Sequence, residues 1–457
     1  MRTWSPEQIA DASGARLLSA PPNGTGPERA VIDSREAGPG ALFVGLKGAH
    51  ADGGTFAPAA LEAGAWGALV APEHANAAGG HAPGVLLAAE DPLQALQRLA
   101  TAWRRQLEAQ VIGVTGSTGK TSTKDLLNAL LALHRRTVAS RANFNTEIGL
   151  PIEILSAPVG TEVLVLEMAM RGAGQIAELA RIAEPDVGVI VSIGPVHLEI
   201  LGTVEAVAAA KAELIAALPS GGTAIIPADE PLLEHHLRPD LITIRFGQGG
   251  DVRMSAADGM EVEIDLAGDT LTLEVSFDQA HLRRNLLAAV AAADAIGVRP
   301  HGRVELAPAA GRGRRVALGD GVIVIDDCYN ANPMSMRAAL EDLAAVAERG
   351  GHARRVAVLG DMLELGDSER DFHLEIGARA RVAGVDLLVT VGPRAAAMTE
   401  RFGGPAQSVP DAAQAASLVP ELVRPGDAIL VKGSRAVGLE LVCRALSGAH
   451  ATHGARG

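Results

Sequence analysis

Residues 113–121 read Gly-Val-Thr-Gly-Ser-Thr-Gly-Lys-Thr, a set of residue types that can cradle phosphate groups. Glycines let backbone N–H groups face anionic oxygens, and a helix N-terminus behind them adds a favourable dipole. In that arrangement Gly116, Ser117, Thr118, Gly119, Lys120, Thr121 and Ser122 line a nucleotide. Lys120 neutralises the β- and γ-phosphates, and Thr121 offers its hydroxyl to Mg²⁺. A strict phosphate loop would carry glycine at position 114, where this chain has Val114.

Three more candidate groups belong to the active edge of a parallel sheet, since open α/β sheets bind ligands beyond the carboxyl ends of their strands. Glu167 follows the run Val163–Leu166 and offers hard oxygen to a cation beside Thr121. His197 lies in Ile-Gly-Pro-Val-His-Leu-Glu (193–199), and Lys211 in a helical Ala-Lys-Ala-Glu stretch (210–213). Taken singly, each is more often a surface residue, a cap or a core histidine. Their shared position beside a phosphate loop is what makes them candidates.

The elements that must hold these groups follow from periodicity. A helix over Pro92–Glu108 closes a first, turn-rich segment. Val111–Thr115, Val163–Leu166 and Val187–Ile193 are apolar runs suited to parallel strands buried on both faces. Helical stretches separate them, at Ser122–His134 and Thr203–Leu218. A Gly-, Pro- and Arg-rich stretch from His301 to Arg315 reads as a linker. The alternation then restarts with strands at Val322–Asp326, Val356–Leu359, Asp386–Val391 and Ala428–Val431. The expected architecture is α/β in three domains: a small N-terminal α/β domain (1–107), a central doubly wound sheet (108–308), and a C-terminal Rossmann-like domain (309–457). The last residues, from Gly448, read as a frayed end.

Composition narrows the class. A chain of 457 residues exceeds one compact core. Aromatic residues are 2% of the chain, so base-stacking platforms are scarce and single-strand nucleic-acid binding is disfavoured. The formal charge of −14 argues against nucleic-acid or membrane-surface partners, while a few basic residues in one cleft still suffice for a small anion. Two cysteines, Cys328 and Cys443, make no disulfide framework, and Cys328 reads as a buried spectator. With no signal core and no long apolar run, the expectation is a cytoplasmic protein that inserts into no membrane.

The loop Thr-Gly-Ser-Thr-Gly-Lys-Thr, Glu-Met-Ala-Met-Arg-Gly (167–172), the segment around His197 and the one around Lys211 together resemble the central domain of the Mur ligase family. The resemblance implies ATP as substrate, two Mg²⁺ ions and a carbamylated lysine. Lys211 then serves as an anionic oxygen ligand beside His197, with Thr121 and Glu167 completing the metal set. Asn-Phe-Asn-Thr-Glu-Ile-Gly (143–149) is similar to the family's substrate-side loop, which makes Asn143 and Asn145 substrate contacts. Thr146 stands where a second Asn is usual, Ala169 where Gly is usual, and Gln175 where Glu is usual. His281-Leu-Arg-Arg-Asn285 resembles the adenine-side element, with Asn285 in place and Leu282 in place of an Asn.

The flanking segments extend the likeness over about residues 30 to 440. Asp33-Ser-Arg35 and the Gly-rich run after it look like the uridine-nucleotide domain, which assigns Ser34 and Arg35 to the UDP end; Gly54 departs from a usual His. Arg312 would reach the γ-phosphate as a charge carried in from another domain, although on its own it also reads as a solvated linker charge. Asp327 would order the nucleotide. Tyr329, Asn330, Asn332, Lys432 and Ser434 lie in segments similar to those of members that add a D-alanyl-D-alanine dipeptide to UDP-N-acetylmuramoyl-tripeptide, as does Gly-Asp-Met-Leu-Glu-Leu-Gly (360–366). The implied function is this ATP-dependent ligation, through an acyl phosphate, in peptidoglycan synthesis by a monomer, with Lys120, His197, Lys211 and Arg312 carrying the chemistry. The alternatives are a family member that adds the third amino acid, and a phosphate-loop kinase or nucleotide switch.

Overall fold

The computed structural model describes residues 1–21, 25–78, 84–141, 143–307 and 309–454. Its strands form three sheets of five, ten and six strands. In the first, Arg29–Val31, Ala41–Val44, Gly67–Val70 and Val85–Ala88 run parallel, and Arg16–Ser19 pairs antiparallel at the edge.

The central sheet begins with six parallel strands: Thr137–Ala139, Val163–Glu167, Gln110–Thr115, Val187–Ile190, Thr223–Pro227 and Ile242–Phe246 in spatial order. Every residue of Val163–Glu167 is buried, as a strand covered on both faces requires. From Gln110–Thr115 the chain goes to the edge strand Thr137–Ala139, returns to Val163–Glu167 beside its start, and then crosses to the other side at Val187–Ile190. That reversal opens a crevice at the strands' carboxyl ends, and the phosphate loop lies there. Beyond Ile242–Phe246 the sheet continues through Val252–Asp258, Glu261–Leu266 and Asp269–Val275, the latter pairs antiparallel. The alternating burial of Glu261–Leu266 marks a sheet with one wet face, which the search for apolar runs passed over.

The C-terminal sheet runs Arg314–Ala317, Ile323–Asp327, Asp427–Lys432, Arg354–Gly360, Leu387–Val391 and Ala406–Val409, parallel except for its first strand. Three sequence expectations change in the structure. The stretch His301–Arg315 is not all linker: Gly302–Val304 pairs with Asp269–Val275 as the last strand of the central sheet, and a C-terminal strand begins at Arg314. The tail from Gly448 is not frayed as far as it is described, because a helix spans Glu440–Gly454; residues 455–457 lie outside the described residues. The expected helix Ser122–His134 begins at Lys120, directly on the loop, and ends at Leu131.

Packing joins the domains unequally. The helix Pro92–Leu107, capped by Asp91, inserts between the first two sheets. Its Trp103 is fully buried, meets Trp4 edge-on with ring centres 5.3 Å apart, and donates to the Ala157 carbonyl at 3.0 Å. One apolar cluster therefore runs from Leu42 and Val44 of the first sheet to Leu164 and Leu166 of the second. The C-terminal sheet keeps its own clusters. It meets the central domain through polar contacts, with Arg315 and Arg349 each 2.8 Å from Asp278, and through Phe372, which packs against its own cluster and the shared one. No helix among the described residues is long and apolar enough to cross a membrane.

Candidate active site

The strand Gln110–Thr115 ends, the backbone turns at Gly119 with φ +81°, and the helix starts at Lys120. A Cβ at Gly119 would lie 2.8 Å from Asn285 Oδ1 and 2.9 Å from a Val191 methyl, so only glycine fits. The same contact places Asn285 against the loop. The segment after Val187–Ile190 braces the loop from the other side. Ser117 N donates to the Ser192 carbonyl at 2.9 Å, Thr118 N to Ser192 Oγ at 2.9 Å, and Gly194 N to Ser117 Oγ at 3.0 Å. Lys120 Nζ donates to the Gly116 carbonyl at 2.7 Å, which folds the ammonium over the cradle.

Glu167 closes its strand facing the loop. It accepts from Thr121 Oγ1 at 2.8 Å through one carboxylate oxygen and from Asn145 Nδ2 at 2.8 Å through the other. Ser140 Oγ accepts from Glu167 N at 3.0 Å and steadies the strand end. A hydroxyl and a carboxylate thus converge, hard oxygens suited to Mg²⁺, and the Asn145 amide N–H steadies the carboxylate. Asn143 is exposed and its side chain takes no part in this cluster.

Lys211 lies in the helix Val204–Ala217, which Thr203 caps. It is 2% exposed and pairs with no carboxylate among the described residues. Burial, with the charge of Lys120 added, holds its amine well below the usual lysine range. His197 lies at φ +54°, a left-handed conformation uncommon for a non-glycine residue. Burial lowers its pKa, contact with Glu364 opposes the shift, and Lys211 and Lys120 lower it further. Glu364 comes from the C-terminal domain, is itself left-handed at φ +63°, and meets His197 Nδ1 at 2.5 Å. The sequence reading quoted the segment around Glu364 without assigning its side chain a role, and it passed over Ser192 entirely.

The C-terminal domain supplies the remaining basic groups. The Arg312 guanidinium stacks 3.9 Å from the centre of the Tyr329 ring, with Arg435 at 5.5 Å from the same ring. Burial lowers the pKa of Lys120, Glu167 opposes the shift, and Arg312 lowers it further, so charge from this domain reaches the phosphate loop. Asp327 pairs with the buried Lys432 at 2.7 Å, and Lys432 also donates to the Asn330 carbonyl at 3.0 Å. Ser434 Oγ accepts from Leu363 N at 3.0 Å. Asn332 caps the helix Pro333–Gly350, accepting from Ser335 N at 2.9 Å. In the N-terminal domain Ser34 and Arg35 form one turn, in which Arg35 pairs with Asp33 at 2.5 Å; neither contacts the loop.

Lys120, Lys211 and His197 of one domain thus feel one another's charge, and Lys120 also feels that of Arg312 from another. Like charges drawn together at one crevice raise each other's energy unless anions separate them. The arrangement is built to receive several negative groups at once, as a polyphosphate and a carboxylate would be.

Comparison with known proteins agrees with this geometry. Family models match in order along the chain: the Mur ligase family catalytic domain over residues 30–104, the Mur ligase middle domain over 114–293, and the Mur ligase glutamate ligase domain over 311–435. UDP-N-acetylmuramoyl-tripeptide--D-alanyl-D-alanine ligase of Synechocystis is 38% identical over 90% of each chain, and that of Bacillus subtilis 36% identical over 91% of this chain and 92% of its own. Among solved structures, MurF from Acinetobacter baumannii superposes with a TM-score of 0.85 at 28% identity, covering 97% of this chain and 99% of its own. MurF ligase from Thermotoga maritima in complex with ADP gives 0.80 at 30% identity, covering 93% and 98%.

Proposed function

The chain belongs to the Mur ligase family, and from that premise we propose that it joins D-alanyl-D-alanine to UDP-N-acetylmuramoyl-tripeptide at the expense of ATP, forming the pentapeptide precursor of peptidoglycan. The observation that carries the reading is the convergence of Lys120, Lys211, His197 and Arg312 on one crevice from two domains. A carboxylate is a poor electrophile and repels a triphosphate. Lys120 and Arg312, with cations held by the groups around them, would remove that repulsion by positioning and electrostatics.

The tripeptide carboxylate attacks the γ-phosphorus of ATP, the bond to the β-phosphate oxygen breaks, and ADP leaves. The dipeptide amine then attacks the acyl carbon of the acyl phosphate, phosphate departs with the bonding pair, and the amine sheds a proton. Lys120 and the backbone of residues 116–122 hold the phosphates. Asn285 supports the adenine side, and Arg312 approaches the γ-phosphate as the C-terminal domain closes. Asp327 orders the nucleotide. Tyr329, Asn330, Asn332, Lys432 and Ser434 form the dipeptide side, Asn143 and Asn145 the peptide side, and Ser34 and Arg35 the uridine side.

Thr121 and Glu167 would hold one Mg²⁺, and a carbamate on Lys211 with His197 a second; bound there, such ions supply positive charge to the phosphate and carboxylate oxygens. The depressed basicity of Lys211 supports the carbamate, since only a neutral amine takes up CO₂. In this reading residues 1–107 bind the UDP end, 108–308 bind ATP, 309–457 bring the acceptor, and the protein works as a cytoplasmic monomer.

Mass spectrometry of products from a panel of UDP-muramoyl peptides and amine acceptors tests the proposal. The expected product is the pentapeptide from tripeptide and D-alanyl-D-alanine, with one phosphate per amide bond. Preference for a free amino acid such as lysine or diaminopimelate would replace the proposal with the third-residue ligase. Phosphate transfer without amide formation would indicate a kinase.

A further inference from the structure

The chain has two cysteines, and the fold brings them together. Cys328 follows the strand Ile323–Asp327, and Cys443 lies in the first turns of the helix Glu440–Gly454. Between them lies Asp326. Its Oδ1 is 3.0 Å from Cys328 Sγ and 3.5 Å from Cys443 Sγ, and all three donor atoms lie within 4.8 Å of one another. Its other oxygen, Oδ2, accepts from Gly311 N at 3.1 Å and faces Arg314 at 3.5 Å. One carboxylate oxygen therefore belongs to the backbone turn that carries Arg312, and the other belongs to the thiols. No contact of the phosphate loop uses these three groups.

We propose that Asp326, Cys328 and Cys443 form a binding site for a soft divalent cation of the Zn²⁺ class, which ties the terminal helix to the strand end beneath the Arg312 turn. Two sulfurs and one oxygen are a donor set that selects such a cation and rejects Mg²⁺. Tetrahedral Zn²⁺ with bonds of about 2.3 Å to sulfur and about 2.0 Å to oxygen separates its ligands by roughly 3.5–3.8 Å. The Asp326–Cys443 separation already lies in that range, and Cys328 needs to withdraw by about half an ångström. Binding replaces the two thiol protons, which leave to solvent, and the fourth position falls to water on the half-buried Cys443 side. Arg314, half exposed, faces the remaining negative charge. A disulfide is the poorer use of the same atoms. It would strip Asp326 Oδ1 of both donors while the carboxylate stays 4% exposed, leaving that buried oxygen without a partner among the described residues.

The test uses the full-length protein, reduced and stripped of metal, titrated with Co²⁺ as a spectroscopic probe and then with Zn²⁺. One equivalent of Co²⁺ should produce a near-ultraviolet thiolate charge-transfer band and visible bands of tetrahedral intensity. Zn²⁺ should abolish both and protect the two thiols from a disulfide reagent. Cys443→Ser should lose the charge-transfer intensity at least by half and weaken binding at least tenfold. Asp326→Asn should weaken binding while both thiols remain titratable. Circular dichroism confirms that each variant is folded, and Zn²⁺ should raise the melting temperature of the parent and not of Cys443→Ser. Absence of the band in reduced, folded protein overturns the proposal. So does a band that survives Cys443→Ser unchanged, or recovery of the untreated protein as the Cys328–Cys443 disulfide.

Discussion

Glu364→Gln removes one charge and almost no volume from the contact between domains, which makes it a sharp probe of how closure reaches the active site. Glu364 meets His197 Nδ1 at 2.5 Å across the interface, with side-chain exposures of 39% and 24%. A hydrogen bond to a charged group is worth about 1.5–3 kcal/mol when well buried. Solvent screening at a group more than a third exposed reduces that to about 1 kcal/mol. The loss corresponds to roughly a fivefold fall in the closed, His197-engaged population and in turnover. The assay is phosphate release with saturating UDP-muramoyl-tripeptide and D-alanyl-D-alanine. kcat should drop about fivefold for this ~1 kcal/mol loss, while the KM for ATP changes less, because the phosphate loop that holds most of the nucleotide belongs to the central domain. Small-angle scattering should show a larger radius of gyration in the presence of nucleotide. Arg349→Ala, which removes a different cross-domain pair at Asp278, should shift the scattering while the Glu364 carboxylate is kept. In the closed, nucleotide-bound population the His197 imidazole resonances should change in Glu364→Gln and not in Arg349→Ala. Unchanged kcat, or an effect confined to the KM for ATP, would refute the idea that Glu364 positions His197 on closure.

Lys120→Ala should abolish ligation while circular dichroism stays native, because among the described residues its ammonium bonds only to the loop carbonyl of Gly116. In CO₂-free buffer the enzyme should lose activity and recover it on addition of bicarbonate. Lys211→Arg should be inactive in both conditions, whereas a plain structural lysine would tolerate arginine and ignore bicarbonate. Trp103→Ala should destabilise the protein by about 3–5 kcal/mol in denaturant titration, since the ring is fully buried and joins two sheets. A loss below ~1 kcal/mol would mean that the shared core is looser than its packing indicates.

The sequence was most legible where chemistry and secondary structure depend on neighbours along the chain. The phosphate loop needs a strand, glycines and a helix start within a dozen residues, so Gly116–Thr121 could be read directly. Thr223–Pro227 was passed over, while other equally buried parallel strands, Val163–Glu167 among them, announced themselves as apolar runs. The antiparallel strands Val252–Asp258 to Asp269–Val275 did not, because one face is wet and alternation in short strands is a weak signal. Gly302–Val304 hid in a Gly-rich stretch, since an edge strand needs little apolar content once a partner supplies its hydrogen bonds. Glu364 was illegible for another reason: its role exists only when two separately folded sheets meet. Asn332 shows the converse, a residue picked out for its segment whose side chain also caps a helix.

The apolar cluster shared by the first two sheets turns the front half of the molecule into a caliper. If Ser34 and Arg35 grip the uridine end and Lys120 and Glu167 mark where the acyl group is activated, no hinge lies between grip and reaction point. Each peptide residue extends its chain by at most about 3.3–3.6 Å. A precursor one residue short would leave its terminal carboxylate a bond or more from the γ-phosphorus, in a frame that cannot shrink to meet it. Length would then be measured before any side chain is inspected. The rejection of shorter muramoyl peptides would persist whatever occupies the third position, and would relax only in variants, such as Trp103→Ala, that loosen the jaw.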